Sequence, residues 1–281
     1  MHSRTGSRTG RPRKLTGSQM ARIYRMVVDK DPLQIKFPFA LWTRAIVVTA
    51  IQQKFGIKLS ESSVGRLFRQ MGLSCQKPLF RACQQCPQTV AKWKQNVFPA
   101  IKKRAKSLGA TIYFQDESGI RSDYHSGKTW APIGQTPIIE ATGARFGLNM
   151  MGAISMRGEL RFMVIKGSVS ADQICAFLNR LMHNADRPIF LIWDGHPTHR
   201  SKKVRECIDS FNGNLEVYCL PSYSPELNPI EQVWNNVKNH GIGRTKVFGP
   251  AQLKAAVLSH LKRIQKLPSP VRAFFQHLEC A

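Results

Sequence analysis

The stretch that decides the fold is Leu220-Pro221-Ser222-Tyr223-Ser224-Pro225-Glu226-Leu227-Asn228-Pro229-Ile230-Glu231. It predicts the end of a strand, a proline-rich loop and the first turn of a helix. Asn228 suits the N-cap, and Pro229 suits the first helical position, where no N–H is needed. Glu231 then falls in the first turn, so a carboxylate is held at a helix start near a strand end. The spacing also permits a capping box, in which Glu231 bonds back to the Asn228 backbone.

Two further carboxylates follow apolar runs in the same way. The β-rich run 111–115 ends at Asp116, and the apolar run 188–193 ends at Asp194. Short apolar runs of this kind predict strands buried on both faces, and ligands of open α/β sheets bind beyond strand ends. Three acids gathered there repel one another unless a cation lies between them, and oxygen ligands suit Mg²⁺ or Mn²⁺. The alternatives are an ordinary Asp-Gly turn at Asp194 and a helix or turn cap at Asp116.

These three segments carry a resemblance to a known family. Phe114-Gln115-Asp116-Glu117-Ser118, Trp193-Asp194-Gly195-His196 and Tyr223 to Glu231 are similar to the three acidic motifs of the IS630 family of transposases. That family stands with the Tc1/mariner group in the DDE superfamily. The third motif is the most specific, because many adjacent positions match. The similarity covers about residues 10 to 245, and the last two acids are 37 positions apart, near the usual gap of the family.

The resemblance implies an α/β fold, in which an RNase H-like mixed-sheet catalytic core follows a small all-α helix-turn-helix, winged-helix-like domain. It implies that Asp116, Asp194 and Glu231 are catalytic and hold two divalent cations, Mg²⁺ or Mn²⁺. Such a pair of cations, about 3.5–4 Å apart, suits in-line attack on a phosphodiester. The family implies cleavage at transposon ends, joining of the 3′-OH to target DNA at TA, and a homodimer on double-stranded DNA.

The charge of the chain is strongly positive and unevenly spread. The net charge is +25, and residues 1–110 hold 22 Lys and Arg against 3 Asp and Glu. The remaining residues hold 20 basic and 14 acidic side chains. A basic front half beside a nearly balanced rear half predicts a polyanion-binding module joined to another domain. This bias speaks against a glycosidase, which could also use paired carboxylates. A generally basic, solvated surface is the simpler alternative.

The basic front half contains two candidate DNA-binding features. The polar arm carries Gly10-Arg11-Pro12-Arg13-Lys14, whose Arg11, Arg13 and Lys14 suit a narrow minor groove. Family members commonly carry another helix-turn-helix before this hook, so the chain is expected to be a second reading frame, a truncated copy or a short variant. The third predicted helix begins after Ser60 and buries Val64 and Leu67. Its outward residues suit base edges and phosphates, and they include Ser63, Arg66, Arg69 and Gln70. The alternatives are a solvated tail and a helical bundle with a basic face.

Composition and periodicity divide the chain into five segments. They are a basic flexible arm (1–14), a helix-turn-helix DNA-binding domain (15–76), a connector and basic helix (77–110), an RNase H-like DDE catalytic domain (111–245) and a C-terminal helical segment (246–281). In the catalytic segment the pattern predicts a first strand that ends at Asp116, a hairpin around 156–159, a strand at 189–193 and a helix from His199 to Phe211.

Other features limit the partners and the compartment. No apolar run is long enough to span a bilayer and no signal peptide opens the chain, which predicts a cytoplasmic, nucleoid-associated bacterial protein without membrane contact. Cys83 and Cys86 have zinc-like spacing without a matching second pair, so free thiols are expected. His196 and His199 flank Asp194 and are interpreted as surface residues, although either could position a phosphate or bind metal. Glu117 faces away from Asp116 and is left out of the site.

Two rival functions remain open. A catalytically silent or repurposed DNA-binding protein would keep salt-sensitive DNA affinity without metal-dependent nicking. A general RNase H-like nuclease would cut DNA irrespective of its end sequence and would yield no joined product.

Overall fold

The computed structural model describes residues 14–76, 84–125, 129–138, 142–165 and 167–276. Its contacts divide the chain into two compact units, Met1–Phe80 and Arg81–Ala281. Arg11 and Arg13 lie outside the described residues, as does Cys83. Lys14 is described, is exposed, and donates from Nζ to the carbonyl of Lys58 at 3.3 Å.

The first unit is a three-helix cluster. Its helices are α1 (Gly17–Asp29), α2 (Arg44–Phe55) and α3 (Glu61–Gln70). Thr16, Thr43 and Ser60 each cap a helix by accepting from a backbone N–H three residues later, which satisfies a donor that the helix cannot. Val47, Ile51 and Val64 form the centre of the small core. The predicted start of the third helix after Ser60 is confirmed, because Ser60 is the N-cap of α3.

The second unit is built on one mixed five-stranded sheet. Its strands are β1 (Thr111–Arg121), β2 (Gly147–Ser155), β3 (Leu160–Ile165), β4 (Ile189–Trp193) and β5 (Leu215–Cys219). The order across the sheet is β3-β2-β1-β4-β5. β1, β2 and β3 pair antiparallel, while β4 and β5 continue from β1 in parallel. The predicted hairpin and the predicted strand at 189–193 are therefore present.

Helices cover both faces of this sheet. They are α4 (Pro87–Lys92), α5 (Phe98–Leu108), α6 (Ala171–Met182), α7 (Lys202–Asp209), α8 (Ile230–Asn236), α9 (Pro250–Gln265) and α10 (Pro268–Ala273). Alternate strand residues point to opposite layers. Phe114 and Ile192 pack with α5, α8 and α9, whereas Tyr113 and Trp193 pack with α6 and α7. Each of the two layers has its own apolar core.

Some predicted boundaries are wrong. β1 continues to Arg121 rather than ending at Asp116. Its parallel pairing with β4 ends at Phe114, but its antiparallel pairing with β2 continues to Arg121. The predicted helix from His199 begins only at Lys202, because Ser201 caps it and Pro197–Arg200 forms a 3₁₀ turn. The basic helix before β1 is interrupted by a π turn at Trp93–Val97, just before Pro99, which has no N–H to donate.

The loop before α8 also differs from its prediction. Asn228 does not cap the helix with its side chain, because its buried Oδ1 accepts no hydrogen bond among the described residues, while its Nδ2 donates to the Gln115 carbonyl at 3.1 Å. Pro229 occupies the cap position, and no side chain caps α8. The interpretation of Glu231 as part of a capping box is therefore wrong.

Among the described residues, no helix combines the length and apolarity needed to cross a membrane.

Gly152 provides a test of how β2 packs against α8. A Cβ at this position would lie 2.9 Å from Trp234 Cη2 and 3.2 Å from Ile230 Cδ1. We expect Gly152→Ala to lower the free energy of unfolding by about 1–3 kcal/mol, because α8 must shift. Urea unfolding measures the change. Gly143→Ala is the control, because a Cβ there meets nothing within 4 Å. Equal effects of the two substitutions would contradict the close packing.

Candidate active site

The parallel ladder between β1 and β4 places Asp116 and Asp194 in corresponding positions. Its last pair is Phe114 with Ile192, and each aspartate follows two residues later on its own strand. Asp116 lies in β1 and alternates onto the face that carries Phe114, whereas Asp194 follows the end of β4 and its carboxylate bonds to His199. The face that carries Phe114 is the one covered by α8, which carries Glu231.

Asp116 is largely buried and faces the first turns of α8. Trp234 Nε1 donates to Asp116 Oδ2 at 3.0 Å. Burial, and after it repulsion by Glu231 and Glu117, raises the pKa of Asp116 to about 8, against the lowering effect of the Trp234 hydrogen bond. The pKa of Glu231 is also raised by burial, although the nearby charge of Lys238 lowers it in part.

The loop before α8 is fixed from two sides. Asn228 Nδ2 holds it to β1 through the Gln115 carbonyl. Gln85, on the segment before α4, donates from Nε2 to the Tyr223 carbonyl at 3.0 Å and to Glu226 Oε1 at 2.7 Å. Tyr223 adopts a left-handed backbone conformation with φ of 58°. These contacts set the position at which α8, the helix that carries Glu231, begins.

Asp194 occupies a different environment from Asp116. Its side chain is 49% exposed, and its Oδ1 accepts from the backbone N–H of His196 at 3.0 Å and from His199 Nδ1 at 3.1 Å. The hydrogen bond from His199 lowers the pKa of Asp194 despite partial burial. Burial alone would lower the pKa of His199, but its bonds to Asp194 and Glu117 raise it to about 10.

The structure brings together one group that the sequence prediction omitted. Ligand-type atoms of Glu117, Asp194 and His199 lie within 4.8 Å of one another. His199 is buried, so its interpretation as a surface residue is wrong, whereas His196 is exposed as expected. Glu117 does leave the face of Asp116, but His199 links it to Asp194. The five-residue spacing of Asp194 and His199, across a Pro-containing turn, was the available signal.

The candidate DNA-reading face of α3 is exposed as predicted at Arg66, Arg69 and Gln70, while Ser63 is half-buried. Ser63 Oγ accepts from Arg66 Nη2 at 3.3 Å, and Arg69 Nε donates to the Gly65 carbonyl at 3.4 Å.

The described cysteines are all free thiols, including Cys86.

Comparisons with known proteins agree with this architecture. Residues 111–248 match the family described as DDE superfamily endonuclease, and residues 38–97 match a winged helix-turn-helix family. The insertion element IS630 uncharacterized 39 kDa protein of Shigella sonnei is 22% identical over 229 residues. That match covers 80% of this chain and 65% of the relative, so the chain spans just under two thirds of the relative's length.

Solved structures of the Mos1 transposase have a similar fold. The mariner Mos1 paired end complex with Mg superposes with a TM-score of 0.67 at 17% identity, over 99% of this chain and 81% of that chain. The Mos1 strand transfer complex gives 0.62 at 17% identity, over 98% and 82%. The predicted mixed-sheet, RNase H-like core after a helical helix-turn-helix region is therefore confirmed as the fold.

Replacing Asp116 tests the burial of its charge. The folded pKa of about 8 exceeds the ordinary value of 3.8. The raised pKa contributes to the free energy of unfolding, and this contribution is complete below pH 3.8. It is lost as the pH rises towards 8, because between these values the folded state keeps the Asp116 proton and the unfolded state does not. We expect metal-free Asp116→Asn to exceed the wild type by at least about 1 kcal/mol at pH 8, and by less at pH 5.5.

Urea unfolding in EDTA at both pH values measures this difference. The control is Asp186→Asn, because the Asp186 side chain is 85% exposed and pairs only with its neighbour Arg187 among the described residues. The same pH slope for Asp116→Asn and the wild type would contradict a raised pKa at this position.

Proposed function

Because this chain belongs to the DDE superfamily of endonucleases, in the IS630 and Tc1/mariner group of transposases, we propose that it moves a DNA element. In this proposal it cuts DNA at transposon ends and joins the 3′-OH to target DNA at TA. The observation that carries the proposal is the packing of α8 on β1. Trp234 binds Asp116 there, and the charge of Glu231 raises the Asp116 pKa. A buried acidic pair of this kind favours a bound cation.

The donor set of the proposed centre fits a hard divalent cation. Asp116, Asp194 and Glu231 offer carboxylate oxygens alone, which suit Mg²⁺ or Mn²⁺. The mutual repulsion at Asp116 fits this assignment, because a cation would relieve it. Two such ions, when bound, supply a Lewis acid for the attacking and leaving oxygens of an in-line displacement.

The residues of the chain contribute position and charge to the reaction. Asp116 and Glu231 are held on rigid elements, β1 and α8, and Asp194 is held by its two hydrogen bonds at the end of β4. Rigid placement of the ligands keeps the scissile phosphodiester aligned with a water molecule or a 3′-OH. The reaction needs no covalent link between protein and DNA.

The DNA partner is proposed to bind first through the front half of the chain. The +19 balance of residues 1–110 favours phosphate contacts, and the exposed face of α3 carries side chains suited to base edges. The described Lys14 and the arm residues Arg11 and Arg13 would add contacts in the minor groove. Bringing two transposon ends together calls for a homodimer, acting at the nucleoid in the bacterial cytoplasm.

Substitution of Asp194 tests the cutting reaction. We expect Asp194→Asn to lose metal-dependent strand cleavage by at least a hundredfold and to keep the affinity for DNA, because the amide is a poor cation ligand. The assay uses labelled end DNA with a TA-containing plasmid, in Mg²⁺ or in Ca²⁺. Asp186→Asn, at an exposed acid, should cut like the wild type.

Each outcome of this assay is informative. Cleavage by Asp194→Asn in Mg²⁺ would exclude the proposed role of Asp194. Sequence-independent nicking without a joined product would favour the general nuclease. Binding without any nicking by the wild type would favour a repurposed DNA-binding protein.

Substitution on α3 tests the DNA-binding face. We expect Arg66→Ala to weaken binding to duplex end DNA and to reduce the salt dependence of log K by about one unit, because one phosphate contact is lost. Fluorescence anisotropy across a salt series measures both. Arg22→Ala, an exposed arginine on α1, is the charge-matched control. Equal losses for the two variants would show only a diffuse basic surface.

A further inference from the structure

The imidazole of His199 is built into the end of the sheet. Its side chain is only 3% exposed. The ring stacks on the indole of Trp193, the last residue of β4, with centroids 4.2 Å apart and an interplanar angle of 11°. A ring buried flat against a core tryptophan has little freedom to reorient. His199 is therefore a fixed point beside Asp194.

Both ring nitrogens of His199 are engaged by carboxylates. Nδ1 lies 3.1 Å from Asp194 Oδ1 and 3.2 Å from the Asp194 carbonyl oxygen, and Nε2 lies 3.0 Å from Glu117 Oε1. Carboxylate and carbonyl oxygens only accept, so both nitrogens act as donors. Neither nitrogen is left with a lone pair for a metal, which argues against His199 as a direct ligand.

Glu117 accepts a second hydrogen bond from a side chain of its own strand. Gln115, two residues earlier on β1 and almost fully buried, donates from Nε2 to Glu117 Oε1 at 3.0 Å. The chain of contacts therefore runs from a buried glutamine through Glu117 and His199 to Asp194. Gln115 and Glu117 lie in β1, His199 lies in the 3₁₀ turn Pro197–Arg200, and Asp194 directly follows β4.

The contacts on Asp194 are one-sided. The backbone N–H of His196 and Nδ1 of His199 both meet Oδ1. Within the described residues, no hydrogen bond reaches Oδ2. Asp194 follows the last residue of its strand and is half exposed, so without these two contacts its carboxylate would be free to rotate.

We propose that His199, supported by Glu117, is a positioning residue that fixes Oδ1 of Asp194 and thereby presents Oδ2 to the divalent cation. This inference rests on the proposed function, because it takes Asp194 as a cation ligand. Hydrogen-bonded partners behind a metal ligand typically change metal affinity by about 10–100-fold when they are removed. Here the effect should fall on cation affinity more than on the fold.

Two amides can separate the two bonds of the imidazole. The Asn amide nitrogen can replace Nδ1, and the Gln amide nitrogen can replace Nε2. His199→Asn therefore keeps the contact to Asp194 and loses Glu117, while His199→Gln keeps Glu117 and loses Asp194. We expect the Kd for Mg²⁺ to rise about tenfold or more in His199→Gln and less than about threefold in His199→Asn.

The readout is Mg²⁺ binding by the full chain, measured by calorimetry and by the Mg²⁺-dependent shift in Tm, without DNA. Strand cleavage against Mg²⁺ concentration is the second readout, in which His199→Gln should regain its rate at high Mg²⁺. His183→Gln, an exposed histidine after α6, is the control and should bind Mg²⁺ like the wild type.

Glu117 provides a second pair of variants if His199→Gln does not fold. Glu117→Ala removes the acceptor of Nε2 and should raise the Kd for Mg²⁺ about two- to threefold, because it loses the same bond as His199→Asn. Glu117→Gln retains an acceptor oxygen and should stay close to the wild type. Both variants leave the ring on Trp193 in place, so a loss confined to Glu117→Ala supports positioning rather than general packing.

The outcomes separate this inference from the proposed function. Absence of Mg²⁺ binding and cleavage in the wild type would overturn both. A wild type that binds Mg²⁺ and cuts, with His199→Gln and Glu117→Ala equally tight, would overturn only the positioning role. Equal weakening in His199→Asn and His199→Gln would also overturn it, because it would indicate direct ligation or loss of packing.

Discussion

The burial of the Asp116 carboxyl group under α8 is the constraint on which the second unit depends. A lone buried charge is costly, and here Glu231 on the covering helix makes it costlier. The surrounding contacts hold α8 down despite this cost, because Trp234 combines a core position with a donor to Asp116. Gly152, opposite Asp116 on β2, leaves space for the same indole. Packing and acidity are therefore set by the same few residues.

The loop before α8 shows how such a helix is aimed. The last strand ends at Cys219, and the next ten residues form turns that are rich in proline. Their path is fixed less by local propensity than by two side-chain amides. Asn228 in the loop donates to β1, and Gln85 on the segment before α4 donates to the loop. A π turn at Val237–Gly241 then ends the regular part of α8, a few residues beyond Glu231. Long-range hydrogen bonds thus position the residue that the local sequence only places at a helix start.

The sequence predicts most elements of this fold, since apolar runs, caps and glycines act locally. The hairpin, β4 and α9 follow from such signals. The continuation of β1 past Asp116 could not be predicted, because it depends on pairing with β2. The buried state of His199 and the side chain of Asn228 were missed for a similar reason. Each is decided by a partner more than 80 positions away, Glu117 for His199 and Gln115 for Asn228.

The two acidic environments lie on opposite layers of the sheet. Asp116 and Glu231 belong to the layer of α8, whereas Glu117, His199 and Trp193 belong to the layer of α6 and α7. A continuous sheet would keep these groups apart, because its backbone separates the two faces. Asp194 follows the last residue of β4, where the ladder stops, so the sheet backbone does not confine its carboxylate to one face. In the proposed function, the end of β4 just before Asp194 is therefore what allows Glu231 on α8 and the histidine-bound Asp194 to serve one centre.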